Sequence, residues 1–224
     1  MDSMILAALI GVIAAMAALI IGRVSWRQRK KLPANPFYNA FHAGWGLGIL
    51  MDEWTNAPNS EVTSNFLAAV SRVQPYFDAL GLGVDLLKSF RKGKLSDDLM
   101  LFISQMETKI SSEFGNRAGY AFELGQALVL NTKDIYRYAT DASHRRMVES
   151  QDAGLSAITA AIGEPLGKLH LGEVIEREWA DIVSSIERKK FDKNKLWPAI
   201  DAWIKKVHDS IERTTADKTV SERA

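Results

Sequence analysis

The 224-residue chain contains no cysteine. That excludes a disulfide framework, a thiolate nucleophile and any cysteine-ligated metal. No run alternates apolar and polar residues with period two for long enough to build a strand, so no sheet is expected. Histidine is scarce: His42, His144, His170 and His208 are the only four, and none has another histidine three or four positions on. The chain holds no His-Glu-x-x-His segment and no Gly-x-Ser-x-Gly elbow. Zinc-protease and serine-hydrolase sites of those kinds are thereby excluded. Neither sign of charge is in excess, with 28 basic against 27 acidic residues.

One stretch lacks charge and proline altogether. Met4 to Gly22 reads MILAALIGVIAAMAALIIG. As a helix it spans about 28 Å, close to the hydrocarbon thickness of a bilayer. A cleaved signal would need a basic leader and a small-x-small cleavage site, which MDSMIL and IIGRVSW do not supply. The expectation is therefore an uncleaved single-pass transmembrane signal-anchor over residues 1–22. Arg23, Arg27, Arg29, Lys30 and Lys31 follow at once. Such a collar stays on the cytoplasmic face, so the N-terminus is expected outside and the remaining chain in the cytoplasm. The same five residues are placed to contact anionic headgroups, besides setting topology.

The first 31 residues carry five bases and one acid, a net charge of +4. The whole chain is +1, so residues 32–224 are at −3. A weakly acidic domain argues against nucleic acid as partner. Tyr136, Arg137, Tyr138, His144, Arg145 and Arg146 bring aromatics and bases together. Asp134, Asp141 and Glu149 are interleaved with them, as on a solvated helix surface.

Beyond a basic, proline-containing linker over residues 23–36, apolar residues recur every three or four positions as far as residue 213. Phe37 to Trp54 is apolar nearly all round and too short for a second span. It should be buried in protein or lie against the bilayer. Phe66, Val70, Val73 and Phe77 mark the next helix. Ser96, Asp97 and Asp98 start another, with Leu99, Phe102, Ile103, Met106 and Ile110 inward. Ala118–Leu130 and Thr132–Ser150 follow as separate helices, the second with Ile135, Tyr138, Ala142 and Val148 inward. Leu155–Ile162 is closed by Pro165 and Gly167. Ile175, Trp179, Ile182 and Ile186 form a further stripe. Trp197, Ile200, Trp203, Ile204, Val207 and Ile211 make the clearest one. Residues 214–224 are a polar tail. The fold class is all-α: the anchor, then a soluble bundle of six to eight helices.

Two segments match. Phe41-x-x-Gly44-x-Gly46-Leu47 repeats as Phe122-x-x-Gly125-x-Ala127-Leu128, at an offset of 81. Leu95, Leu99, Ile103, Met106 and Ile110 match Leu171, Ile175, Trp179, Ile182 and Ile186 at an offset of 76. Two related halves would explain both. Mid-helix glycine costs about 1 kcal/mol against alanine, and close approach of the two glycine-bearing helices would be a reason to keep it.

Chemistry is harder to find. Gly44-Trp-Gly46-Leu-Gly48 resembles a phosphate loop, but the strand such a loop follows is missing. His42 aligns with Glu123, and Glu53 with Asp134, so a metal site on facing helices is conceivable without the paired Glu-x-x-His signature. Asp52/Glu53 and Asp97/Asp98 are adjacent on their helices and do not face each other. No catalytic residue, cofactor or metal ligand is assigned. The expectation is a non-catalytic, membrane-tethered interaction or scaffold module with a protein partner, in an oligomeric state left open. The alternatives are a helical domain binding lipid or another apolar ligand beneath the glycine-bearing helices, and an enzyme or metal site at their interface.

Overall fold

The computed structural model describes residues 35–55, 64–91, 95–151 and 154–221. The anchor expected over residues 1–22 and the collar of Arg23, Arg27, Arg29, Lys30 and Lys31 lie outside them. No helix among the described residues is long and apolar enough to cross a membrane.

The domain is all-helical. Its elements are α1 (Pro36–Thr55), α2 (Ser64–Ala79), α3 (Leu86–Arg91), α4 (Leu95–Phe114), α5 (Asn116–Thr140), α6 (Ala142–Glu149), α7 (Gly154–Leu169), α8 (Glu173–Glu187) and α9 (Lys193–Ser221). That is nine helices among the described residues rather than six to eight, because the short α3 and α6 stand as separate elements. Three boundaries also move. Ala118–Leu130 and Thr132–Ser150 are not two helices divided at Asn131. α5 runs unbroken to Thr140, and Asp141 makes the break by accepting from the Ser143 and His144 amides as N-cap of α6. Ala142 is thereby exposed. α7 continues through Pro165 to Leu169, where His170 turns left-handed at φ 51°. α9 extends to Ser221 through the polar tail, which has no Gly or Pro to stop it.

Local chemistry explains the other ends. Asn35 caps α1, its Oδ1 accepting from the Phe37 amide at 2.9 Å, with Pro36 in the first turn where no amide hydrogen is needed. α2 stops at Gly81, whose φ of +64° suits a residue without Cβ. Gln74 then pins the connection to α3. Its Nε2 donates to the Val84 carbonyl, and its Oε1 accepts from the Leu86 amide at 3.0 Å.

The buried side chains divide into two clusters. One joins Leu47 and Leu50 of α1, Phe66, Val73 and Phe77 of α2, Leu86 of α3, and Ile103 and Ile110 of α4. The other joins Leu124, Leu128 and Ile135 of α5, Ile162 and Leu166 of α7, Ile175 and Trp179 of α8, and Ile200, Trp203, Val207 and Ile211 of α9. The predicted inward stripes of α2, α4, α8 and α9 are buried where their side chains are described, with three differences. Phe102 and Ile182 are half-buried, and Leu196 takes the place expected for Trp197, which is 36% exposed and stands edge-on to Tyr136.

The two clusters exchange one ring each. Phe41 leaves α1 for the α5–α9 cluster, and Phe122 leaves α5 for the α1–α4 cluster. Both are completely buried. The exchange is possible because α1 and α5 touch through their backbones. A Cβ on Gly44 would lie 2.7 Å from the Phe122 carbonyl carbon and nearer still to its oxygen. A Cβ on Gly125 would lie 2.7 Å from the Trp45 nitrogen and nearer still to the Phe41 oxygen. Further along, a Cβ on Gly48 would meet Val129 at 2.9 Å, and Lys133 reaches Asp52 at 2.6 Å. The contacts rise together along both helices, so α1 and α5 run parallel.

Candidate functional site

α1 carries Tyr38, Phe41, His42 and Trp45 toward α2 and α9. Tyr38 and His42 are one helical turn apart, and their rings meet at 4.2 Å between centroids. Tyr76 of α2 also stacks on His42, at 5.1 Å and 20° between planes, and lies 6.4 Å from Tyr38. His208 of α9 completes the group, 5.6 Å from His42. Phe41 and Trp45 stand edge-on to His208 at 4.9 and 4.5 Å. Glu212, one turn beyond His208 on α9, is close enough to act electrostatically on both tyrosines.

Low polarity governs this cluster. Burial, with help from the neighbouring His208, lowers the His42 pKa to about 4. Burial lowers His208 as well, with Asp209 opposing. Both imidazoles are therefore neutral at physiological pH. Burial and the nearby Tyr76 push Tyr38 up to about 12, and burial raises Tyr76 too. The tyrosine hydroxyls share a hydrogen bond. The Nε2 atoms of His42 and His208 are both buried and have no hydrogen-bond partner among the described residues.

The pseudo-symmetric metal site raised by the sequence is not assembled. His42 faces α2 and α9, whereas Glu123 faces Glu107 of α4 and Lys168 and Glu164 of α7. Burial raises the Glu123 pKa, Glu107 adds to the rise, and Lys168 opposes it. Asp134 lies 3.8 Å from His144 Nε2, and Asp52 pairs with Lys133. Glu53 is half-buried on α1, and His170 is exposed in the turn before α8. Among the described residues no three His, Asp or Glu side chains are grouped to hold a metal.

Sequence reasoning passed over Tyr38, Tyr76 and His208. Spacing held a signal for part of this. Tyr38/His42 and His208/Glu212 each fall at i, i+4, which puts two polar groups on one helical face. Which faces meet depends on the bundle's connectivity, and spacing does not carry that.

Surface concavities among the described residues lie elsewhere. A pocket of about 290 Å³ at the α5–α6 corner is lined by Arg145, Lys189 and Lys193 with Thr140 and Phe191. Arg145 is occupied there in closing α5, donating to the carbonyls of Tyr138 and Ala139 at 2.9 and 2.7 Å. A shallow groove between α7 and α8 is lined by Ala160, Trp179 and Val183 among small polar residues. Comparison with known proteins matches no family model, no curated protein and no solved structure.

Proposed function

We propose that the chain is a membrane-tethered, non-catalytic helical interaction module. The observation that carries this reading is the contact between α1 and α5. An apolar ligand or an assembled active site was to be accommodated beneath the two glycine-bearing helices. Backbone fills that place: the glycines lie against the Phe122 and Phe41 carbonyls. A core closed in this way supplies a rigid exterior rather than an internal ligand chamber. The exterior includes Leu101, Met147 and Val174, each at least half exposed. Such side chains suit contact with a protein partner. The apolar span of residues 4–22 and the collar at Arg23, Arg27, Arg29, Lys30 and Lys31 support the tether and a cytoplasmic domain.

The domain also reads as two related halves. Equivalent glycines touch equivalent phenylalanine carbonyls, and each half lends its phenylalanine to the other's core.

The test is complementation of a strain lacking the chain. Replacing Met4–Gly22 by an unrelated span of equal length and orientation should preserve function. Deleting the span should abolish it while the domain stays folded, since tethering raises effective concentration without new contacts. Glu53→Ala, Glu123→Ala and Asp134→Ala should each complement. A folded, membrane-bound but inactive variant among these three would sink the reading in favour of an enzyme.

A further inference from the structure

We propose that the pocket at the α5–α6 corner binds the phosphate group of a small phosphate monoester, between Arg145, Lys189 and Lys193. The three cations come from separate places in the chain: Arg145 from α6, Lys189 from the turn after α8, and Lys193 from the first turn of α9. No acidic residue lines the pocket. None of the three cations forms an ion pair among the described residues. Asp141 and Asp192, close to them in sequence, are committed to helix caps. Asp141 accepts from the Ser143 and His144 amides, and Asp192 from the Asn194 amide. Residues 32–224 carry a net charge of −3, so three cations around one acid-free cavity run against the balance of the domain. A cleft lined by one sign of charge focuses its field and gathers ions of the other sign.

Lys189 holds its place against backbone preference. Its φ is 53°, in the left-handed region, and the Lys190 amide reaches back to the Ser185 carbonyl at 2.9 Å to close α8. Glycine ends a helix in this way without strain, as Gly81 does after α2. A lysine in that position points to a use for its side chain. Arg145 is fixed by its bonds to the Tyr138 and Ala139 carbonyls and by the Tyr138 ring beneath it, so its charge is presented without loss of freedom. The exposed lysines each bring three donors to an anion. A phosphate monoester, at about −2, answers three cations better than a carboxylate does. Half-buried Phe191 offers an apolar wall to the ester's carbons. The volume of about 290 Å³ suits a small ester rather than a large cofactor. Two sources carry this chemistry: a soluble phosphorylated metabolite, or a phospholipid headgroup ending in a phosphate monoester. The lipid source rests on the membrane tether proposed above, and the pocket itself does not.

The experiment reads the acetylation rate of each lysine by mass spectrometry, in the full-length chain reconstituted in phosphatidylcholine nanodiscs. Saturating glycerol 3-phosphate should slow Lys189 and Lys193 about tenfold or more, and glycerol should not. Lys205, on α9 outside the pocket, is the control. Discs containing phosphatidic acid, without the soluble ester, give the same protection if the source is lipid. Protection of the two lysines in either arm, with Lys205 unchanged, supports the pocket and names its source. Unchanged rates in both arms, or equal slowing of Lys205, overturn it. Lys189→Gly removes the charge and relaxes the backbone, so it should fold at least as well as wild type. It should nevertheless weaken the protection of Lys193 about tenfold, and full protection in this variant also overturns the proposal. A chain that stays out of the nanodiscs but is protected by glycerol 3-phosphate sinks the tether and leaves the pocket standing.

Discussion

Ala40–Leu47 on α1 and Ala121–Leu128 on α5 share Ala, Phe, Gly and Leu at four matching positions and differ at the other four, among them His42 against Glu123 and Trp45 against Gln126. The shared residues meet the opposite helix or the core beyond it. His42 and Glu123 point into different niches. His42 lies between α2 and α9, against Tyr76 and His208. Glu123 lies between α7 and α4, near Lys168, Glu164 and Glu107. One niche is aromatic and neutral. The other keeps a carboxyl beside a cation and two further acids. The helix-to-helix contact tolerates no change, because a backbone sits on the far side. A niche lined by side chains can be refitted one residue at a time.

The sharpest way to break the comparison is to attack what the segments share. Gly44→Val and Gly125→Val should each cost about 4 kcal/mol or more, or abolish folding, because the new side chain meets a carbonyl that cannot turn aside. Gly167 is the control. It lies in α7 with open space around its would-be Cβ, and Gly167→Ala should be neutral or stabilising by up to about 1 kcal/mol. Urea denaturation reads both. If Gly44→Val melts like wild type, the helices are not in backbone contact.

The second core can be broken independently. Trp203 is 1% exposed, stacks on Trp179 at 4.7 Å, and donates from Nε1 to the Ile175 carbonyl at 2.9 Å. Trp203→Ala should cost about 3–5 kcal/mol by loss of the ring and orphaning of that carbonyl. A silent substitution would mean that α9 does not hold the second half together.

Much of this architecture is legible in residue spacing, for a physical reason. A helix burying one face must repeat apolar residues every three or four positions, so the stripes of α2, α4, α8 and α9 could be read directly. The paired Phe-x-x-Gly segments were legible too, since glycine inside a helix needs a cause. Continuity of α5 was not, because Asn131-Thr132 resembles a boundary while Thr132 satisfies itself by donating to the Leu128 carbonyl. The histidine cluster was not legible either. His42 and His208 are 166 positions apart, and only the packing of α9 on α1 brings them together.

Acid should sharpen the contrast between the niches. The His42 pKa is lowered, so the unfolded chain binds the extra proton first. Stability at this site is present above its ordinary value of 6.5 and is lost as pH falls toward about 4. That interval is worth at most about 3 kcal/mol. Glu123 has the opposite sign. Its pKa is raised, so its contribution is greatest in acid and is lost as pH rises above the ordinary 4.5. His42→Gln should flatten the acid limb of the stability curve, and Glu123→Gln should stabilise the protein at neutral pH. Unchanged acid sensitivity in His42→Gln would remove burial of that ring from the account.

The smallest effect concerns the point where the segments' helices meet their own counterparts. Asp52 and Lys133 are separated by the same offset of 81 as the paired glycines, and they touch each other at 2.6 Å. With one residue type at both positions, like charges would have faced each other there. The pairing of acid with base is what makes the parallel contact favourable at this end. The side chains are 29% and 43% exposed, so solvent screens much of the attraction. A double-mutant cycle with Asp52→Asn and Lys133→Met should give a coupling of about 0.5–1 kcal/mol, shrinking in high salt. Asp52→Lys alone should be worse than Asp52→Asn, because it restores the like-charge pair. Adding Lys133→Asp to it should recover most of the loss. Coupling indistinguishable from zero at low salt would leave the glycine interlock as the sole determinant of how α1 and α5 are aligned.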